Sequence, residues 1–152
     1  MMGPVASRTF QVEATVPTSP ERAIDFLMQL DQHRGLHAYL ESADVTGSGT
    51  DAEGEWTDWA IVERPKLGPF RYRIRFPARM IRTAPTTMIG RVRAAPGCTL
   101  ETRTTAEGTD ASARVTETVL VTAPWLLVGY MARHARLAHE KTYGLLPAEL
   151  AR

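Results

Sequence analysis

The chain has 152 residues and a formal net charge of +1 at pH 7, with 43% hydrophobic and 23% charged residues. This composition is typical of a globular protein and argues against a disordered or fibrous chain. Its single cysteine, Cys98, excludes an internal disulfide and a metal site built from several thiolates. We predict one domain covering residues 1–152, long enough to bury a substantial core.

The sequence also bears on location. The first residues, MMGPV, show no basic segment followed by an apolar one, so we expect no secretory signal. The longest uncharged apolar stretch, residues 123–132, is much shorter than the roughly 20 residues that a membrane-spanning helix needs. Together with the cysteine content, this predicts a cytoplasmic protein without a transmembrane segment.

The charges are unevenly distributed along the chain. Residues 1–65 hold four arginines and eleven acidic residues, whereas residues 66–106 hold nine basic residues and one acidic residue. Such asymmetry can indicate an anionic partner. The favoured interpretation is that the acidic and basic parts face each other within one sheet.

The first half of the chain predicts a strand followed by helices. Apolar and polar residues alternate over residues 10–16, and successive side chains of a strand point to opposite faces. Ser19, Pro20 and Glu21 then favour a helix start, because serine caps, proline suits the first helical position and glutamate complements the dipole. A second short helix is predicted from Asp31 to Leu40.

The rest of the chain predicts six more strands and a long helix. The strands are expected at residues 41–47, 55–63, 70–76 with continuation to 82, 86–94, 98–105 and 112–122. In residues 70–76, four apolar or aromatic residues alternate with three arginines, which predicts one buried and one solvated face. From Pro124 the spacing becomes helical, and a helix over residues 125–143 would be about 28 Å long.

Several segments carry a family resemblance. Residues 12–27 read VEATVPTSPERAIDFL, Leu30 and Asp31 end the helix, HAYL at 37–40 enters a strand, and TAP at 83–85 precedes another. With the order of elements, these segments resemble the START-related, birch-pollen-allergen-like (SRPBCC) superfamily, in particular its bacterial polyketide cyclase/dehydrase and lipid-transport branch. The resemblance spans about residues 8–146, although Ala38 replaces a usual proline and a common tryptophan is absent.

The resemblance implies an α+β helix-grip fold. In that fold a seven-stranded antiparallel sheet curls around a long C-terminal helix, with two short helices between strands one and two. Sheet and helix enclose an apolar cavity. The family includes cyclases, dehydratases, hydrolases, lipid carriers and ligand sensors, so the resemblance alone does not select one function. It implies no metal and no redox cofactor.

The alternation predicts which side chains face such a cavity. Aromatic and methionine side chains make adaptable walls, and scattered polar groups orient a ligand. The alternative for each apolar residue is that it only fills a core. The predicted ligand-binding residues are Trp56, Tyr72, Ile74, Phe76, Met88, Leu100, Val115, Leu127, Tyr130 and Met131.

Three titratable residues are predicted catalytic candidates. Asp58 and Glu117 are in phase with apolar neighbours, and a buried carboxylate is costly unless it is paired or protonated. His134 lies on the apolar stripe of the last helix. If the three meet in the cavity, they could perform acid–base chemistry on a carbonyl compound. The alternative places both carboxylates in water, since a one-residue error of phase moves either outside.

Two further groups of side chains could bind a partner. His33 and His37 could share a helix face and bind a metal, but no further ligand completes the site, so a solvated pair is favoured. The outer sheet face carries arginines, which could bind nucleic acid or an anionic membrane. Solvation and pairing with Glu63 or Trp59 are favoured. The arginines are Arg71, Arg73, Arg75, Arg91, Arg93 and Arg103.

The sequence therefore predicts a protein that binds a small hydrophobic molecule, such as a polyketide, fatty-acyl or aromatic metabolite. One alternative is a cofactor-independent cyclase or dehydratase that uses Asp58, Glu117 or His134 as acid or base. A second alternative is an interaction module acting through the arginine-rich face. No nucleic-acid partner is expected, and a homodimer is compatible with the sequence.

Overall fold

The computed structural model describes residues 4–64, 66–67, 69–71, 73–95 and 97–152. Within these residues, the elements of regular structure follow one another in a simple order along the chain. They are β1 (Val5–Val16), α1 (Pro20–Met28), a 3₁₀ turn (Leu30–Gln32), β2 (Leu40–Thr50), β3 (Glu55–Glu63), β4 (Lys66–Leu67), β5 (Phe70–Arg71), β6 (Ile74–Ala84), β7 (Thr87–Ala95), β8 (Cys98–Gly108), β9 (Ala113–Pro124) and α2 (Val128–Leu150).

Seven strands form one antiparallel sheet in the order β1-β9-β8-β7-β6-β3-β2, and β4 and β5 form a separate two-stranded ribbon. The β1–β9 ladder runs without interruption from the Val5–Pro124 pair to the Val16–Ala113 pair. Helix α2 packs against β1 and β9, on the inner face of the sheet. The predicted α+β helix-grip fold is thereby confirmed.

Local sequence signals explain the start of α1. The Ser19 side chain accepts a hydrogen bond from the Arg22 backbone at 3.3 Å, and Pro20 occupies the first helical position. The predicted second helix is wrong, since only a 3₁₀ turn forms and Leu40 already begins β2. Gly35 lies in the turn that follows, where glycine disfavours continuation of a helix.

The predicted fourth strand is also divided. Residues Phe70–Arg71 pair with Lys66–Leu67, and β6 begins only at Ile74. The register places Ile74 opposite Glu63 and Ala78 opposite Trp59, so the predicted Glu63–Arg71 and Trp59–Arg75 neighbours are wrong. Pro77 is tolerated inside β6 because the ladder to β7 starts one residue later, at Ala78.

Helix α2 extends seven residues beyond its predicted end at Tyr143, and it contains Pro147 in its last turns. The extension buries Leu146 completely and packs Leu150 against the core. None of the helices in the described part of the chain is long and apolar enough to cross a bilayer.

Adjacent leucines of α2 test the packing. Leu146 is 0% exposed, whereas Leu145 is 39% exposed. We expect Leu146→Ala to lower the free energy of unfolding by about 2–5 kcal/mol, because it leaves a cavity in the core. Leu145→Ala is the matched control and is expected to cost under about 1 kcal/mol. Urea titrations measure both, and equal losses would contradict this packing.

Candidate functional site

A cavity of about 360 Å³ lies between the inner face of the sheet, α2 and the segment that follows α1. Its walls are mainly aliphatic and sulfur-containing side chains from five strands and from Leu27 to Leu40. The mouth is marked by exposed or half-buried lining residues: Ile74 at the start of β6, Glu63 opposite it at the end of β3, and Ala138 on α2. Burial raises the pKa of Glu63.

A polar cluster interrupts the apolar wall. Glu117 on β9 is directly opposite Thr104 on β8, and the Thr104 hydroxyl donates a hydrogen bond to Glu117 Oε1 at 3.0 Å. Glu117 Oε2 lies 3.5 Å from His139 Nε2 on α2. The Glu117 side chain is only 12% exposed. A nearly buried carboxyl on the sheet therefore lies next to an imidazole on α2, and both groups are part of the cavity wall.

The hydrogen bonds of His139 fix which nitrogen faces Glu117. Nδ1 lies 2.8 Å from the Ala135 carbonyl oxygen, which can only accept, so Nδ1 carries a hydrogen. Nε2 is left to exchange a proton with Glu117. The His139 ring packs on the Phe10 ring in a T-shaped arrangement, with centroids 5.6 Å apart. The imidazole is thus held in one orientation by its own helix and by β1.

Burial raises the pKa of Glu117, and the positive charge of His139 and the Thr104 hydrogen bond oppose that shift. Burial, followed by the negative charge of Glu117, also raises the pKa of Tyr143 well above its usual range. The Tyr143 hydroxyl lies near Thr104, whose hydrogen is already donated to Glu117. It is fully buried and has no well-formed hydrogen bond within the described residues.

Two more histidines line the cavity. His33 is 5% exposed, and its Nε2–H donates to the Phe26 carbonyl oxygen at 2.8 Å. His37 lies 3.3 Å from the Thr142 hydroxyl through Nδ1. Burial lowers the pKa of both rings, and the charge of His33 lowers that of His37 further. The predicted solvated pair is wrong for His33, and the described residues contain no cluster that could hold a metal.

The structure places several predicted residues around this cavity. Glu117 is part of the polar cluster, and Val115 lies two residues before it in the adjoining core, fully buried. Met131 is half-buried and packs against that core. Tyr72 lies outside the described residues. The predicted residues that line the cavity itself are Ile74, Phe76, Met88 and Leu100.

The predicted inward orientation of Trp56 and Asp58 is wrong. Asp58 lies on the outer face of the sheet, where Arg79 donates to both of its oxygens at 2.6 and 2.9 Å. The guanidinium holds the pKa of Asp58 below its usual value and also stacks on Trp56 at 4.2 Å. The phase was ambiguous because residues 59–62 are all buried, so β3 shows no alternation there.

The predicted placement of His134, Leu127 and Tyr130 is wrong as well. All three are exposed, and the rings of His134 and Tyr130 contact each other in a tilted arrangement with centroids 4.2 Å apart. The inward face of α2 includes residues 135, 139, 142, 143 and 146 instead. Helical steps of three and four counted back from Tyr143 and Leu146 would have identified His139. Of these two residues, only Leu146 lies beyond the predicted end of the helix at Tyr143.

Comparison with known proteins shows a shared fold. No protein-family model matches the chain, and a search of curated proteins finds no match. Among solved structures, the Zhui aromatase/cyclase from Streptomyces sp. R1128 has a TM-score of 0.75 at 10% identity, over 97% of this chain and 95% of that chain.

Two further structures have TM-scores in the same range. TTHA0849 from Thermus thermophilus gives 0.70 at 15% identity, covering 95% of this chain and 97% of that chain. Ara h 8.0201 gives 0.62 at 12% identity, covering 93% and 98%. The chain therefore shares its helix-grip fold with these three structures.

The pH dependence of stability tests the environment of Glu117. At pH values well below the ordinary value of 4.5, the carboxyl is protonated in the folded and unfolded chain alike. As the pH rises, the unfolded chain releases its proton first, and the folded state loses stability until its own raised pKa is passed. Glu117→Gln, which is neutral throughout, is therefore expected to gain stability relative to wild type as the pH rises.

Chemical denaturation at acidic, neutral and mildly alkaline pH measures that difference. Glu107→Gln, at an exposed position of β8, is the matched control and should show no comparable trend. If the stability of Glu117→Gln relative to wild type stays constant or falls as the pH rises, burial is not the dominant effect on the pKa of Glu117.

Proposed function

We propose that the protein binds a small hydrophobic molecule in the cavity, with an oxygen of the ligand at the Tyr143 hydroxyl. The ligand class is a polyketide, fatty-acyl or aromatic metabolite. The carrying observation is the Tyr143 hydroxyl, which is buried beside the polar cluster without a well-formed hydrogen bond in the described residues. Such an orphaned group costs about 1–3 kcal/mol, which a ligand oxygen would recover.

The size and lining of the cavity support this function. Its volume of about 360 Å³ falls in the range of roughly 300–1,000 Å³ found for small-molecule sites. Removal of apolar ligand surface from water supplies the binding free energy, at about 25 cal/mol per Å² before ordering costs. Methionines 80 and 88 provide an adaptable wall, and the polar cluster fixes the orientation of one end.

A second candidate function is a cyclase or dehydratase of the kind for which the Zhui aromatase/cyclase is named. The observation that favours it is the 3.5 Å separation of Glu117 Oε2 and His139 Nε2. The pair could take a proton from the carbon beside a ketone, and the resulting enolate would attack a second carbonyl of the chain. Return of the proton to the new alkoxide completes the ring closure, and later loss of water gives the aromatic product.

Ligand binding is tested with naphthol and naphthalene, which differ only by the hydroxyl. In the wild-type protein we expect naphthol to bind about tenfold more tightly, because its oxygen pairs with Tyr143. Tyr143→Phe should abolish that preference while naphthalene affinity is retained. Isothermal titration measures both ligands, and a preference that survives in Tyr143→Phe would contradict the proposed contact.

Neighbouring residues of α2 provide a control for the cavity itself. Ala138 and Leu137 are both exposed, but only Ala138 is part of the cavity lining. Ala138→Trp is expected to weaken naphthalene binding at least about tenfold by filling the mouth, and Leu137→Trp to leave it unchanged. Equal effects of the two substitutions, or no binding to the wild type, would exclude the cavity as the site.

Catalysis is tested with a linear poly-β-keto thioester, following the absorbance of the aromatic product. Glu117→Gln and His139→Phe should each lower turnover by about 10²–10⁴-fold with little change in substrate affinity. Asp58→Asn and His134→Ala, which lie outside the cavity, should leave turnover unchanged. Parallel loss of binding and turnover would favour a carrier, and activity in Glu117→Gln would exclude this carboxyl as the acid or base.

A further inference from the structure

One end of the molecule presents large apolar side chains to solvent. Trp125, Leu126 and Leu127 form the turn between β9 and α2, and Leu126 is 74% and Trp125 54% exposed. Tyr130 in the next turn is 61% exposed. The backbone N–H of Trp125 donates a hydrogen bond to the Pro4 carbonyl oxygen, so the turn is held against the start of β1. Consecutive exposed residues of this size are unusual on a globular surface and indicate a contact site.

The strand register shows that this turn lies at the same end of the sheet as the cavity mouth. The pairs Val5–Pro124 and Glu63–Ile74 both lie at that end, because the strands alternate in direction. We call it the mouth end. Tyr39, just before β2, and Ile74 are also exposed there, at 47% and 43%. The opposite end, where β2 meets β3 and β8 meets β9, is called the far end.

Charge is segregated between these two ends. Arg75 and Arg93 lie on strand segments at the mouth end, and Arg133 lies in the second turn of α2. Within the described residues these three arginines make no ion pair, while Glu41 at the same end accepts from two other arginines. The far end carries a group of acidic side chains, and Arg114 and Arg91 pair with two of them, Glu13 and Glu53. The group includes Glu13, Asp51, Glu53, Glu55, Glu107 and Asp110.

We propose that the mouth end docks on the surface of an anionic phospholipid bilayer. The Trp125–Leu127 turn would enter the interface between headgroups and acyl chains, where tryptophan and leucine are favoured. The unpaired arginines would lie near lipid phosphates, and the acidic far end would point away from the membrane. The cavity mouth would then open towards the bilayer, so a hydrophobic molecule could pass without crossing water.

The same observations disfavour a second copy of the chain as the occupant. A symmetric dimer through this end would bring Arg75, Arg93 and Arg133 of both copies together, and like charges repel. An anionic bilayer instead complements both features of this end, since its acyl chains accept the apolar turn and its phosphates attract the arginines. The proposal does not depend on what the cavity binds.

The test is co-sedimentation with vesicles of phosphatidylcholine alone and of an equimolar mixture with phosphatidylglycerol. We expect binding to the mixed vesicles that falls steeply with added salt, and at least tenfold weaker binding to phosphatidylcholine. Leu126→Asp should weaken binding to mixed vesicles about tenfold or more. Val45→Asp, at an exposed apolar position of β2 away from the mouth end, is the matched control and should not.

Charge reversal and fluorescence complete the design. Arg93→Glu should weaken binding at least about fivefold, and Arg22→Glu on α1 should not. Lipids with brominated acyl chains should quench Trp125, since Trp59 is buried and Trp56 lies under Arg79. Trp125→Phe should bind but lose the quenching. Thermal unfolding verifies that each variant is folded.

Several outcomes would overturn the proposal. They are equal binding to both vesicle types, no binding to the mixed vesicles, and a Leu126→Asp variant that binds like the wild type. A dimer in solution that Leu126→Asp dissociates, without any vesicle binding, would assign the turn to self-association instead. Tyr143→Phe should leave vesicle binding unchanged, so failure of the ligand-binding proposal is distinguishable from failure here.

Discussion

One helix cannot cover a seven-stranded sheet, and this mismatch of widths shapes the molecule. Strands spaced about 4.8 Å apart make a sheet roughly 29 Å wide, whereas a helix with its side chains is about 10–12 Å across. Helix α2 packs on β1 and β9, and α1 contacts the neighbouring strands from one end. Curling of the sheet and the segment from Leu30 to Leu40 enclose what is left. The cavity is the volume that these elements do not fill.

The polar groups in that volume are held close to electrical neutrality. Burial disfavours the charged forms of Glu117, His33 and His37, so it favours a protonated carboxyl and neutral rings there. The contact between Glu117 and His139 opposes this effect, because transfer of one proton from the carboxyl to the imidazole would leave both groups charged. A site of this kind suits an uncharged molecule with a polar oxygen, because a charged ligand would meet the same desolvation penalty without a fixed counter-charge.

The topology was predictable because most strands carry a clear period of two and the first helix has explicit start signals. The side-chain phase was not predictable where that period fails. In β3, Trp59 to Val62 are all buried, so the side chains on both faces of the strand are apolar there and no alternation is visible. In α2, the stripe through His139 continues into residues beyond the predicted end. The Glu117–His139 pair therefore emerged only when two distant elements were placed together in space.

The charge asymmetry of the sequence has a physical resolution. Acidic residues of the first block pair with arginines of the second across the sheet, as in Asp58–Arg79, Glu53–Arg91 and Glu41–Arg73. This agrees with the favoured interpretation that the two blocks face each other. Exposed pairs of this kind contribute little to stability, so their main effect is on the surface potential. Pairing removes the arginines near the centre of the sheet from that potential. What remains is a basic mouth end and an acidic far end, and a molecule polarised in this way is oriented by any anionic surface before contact is made.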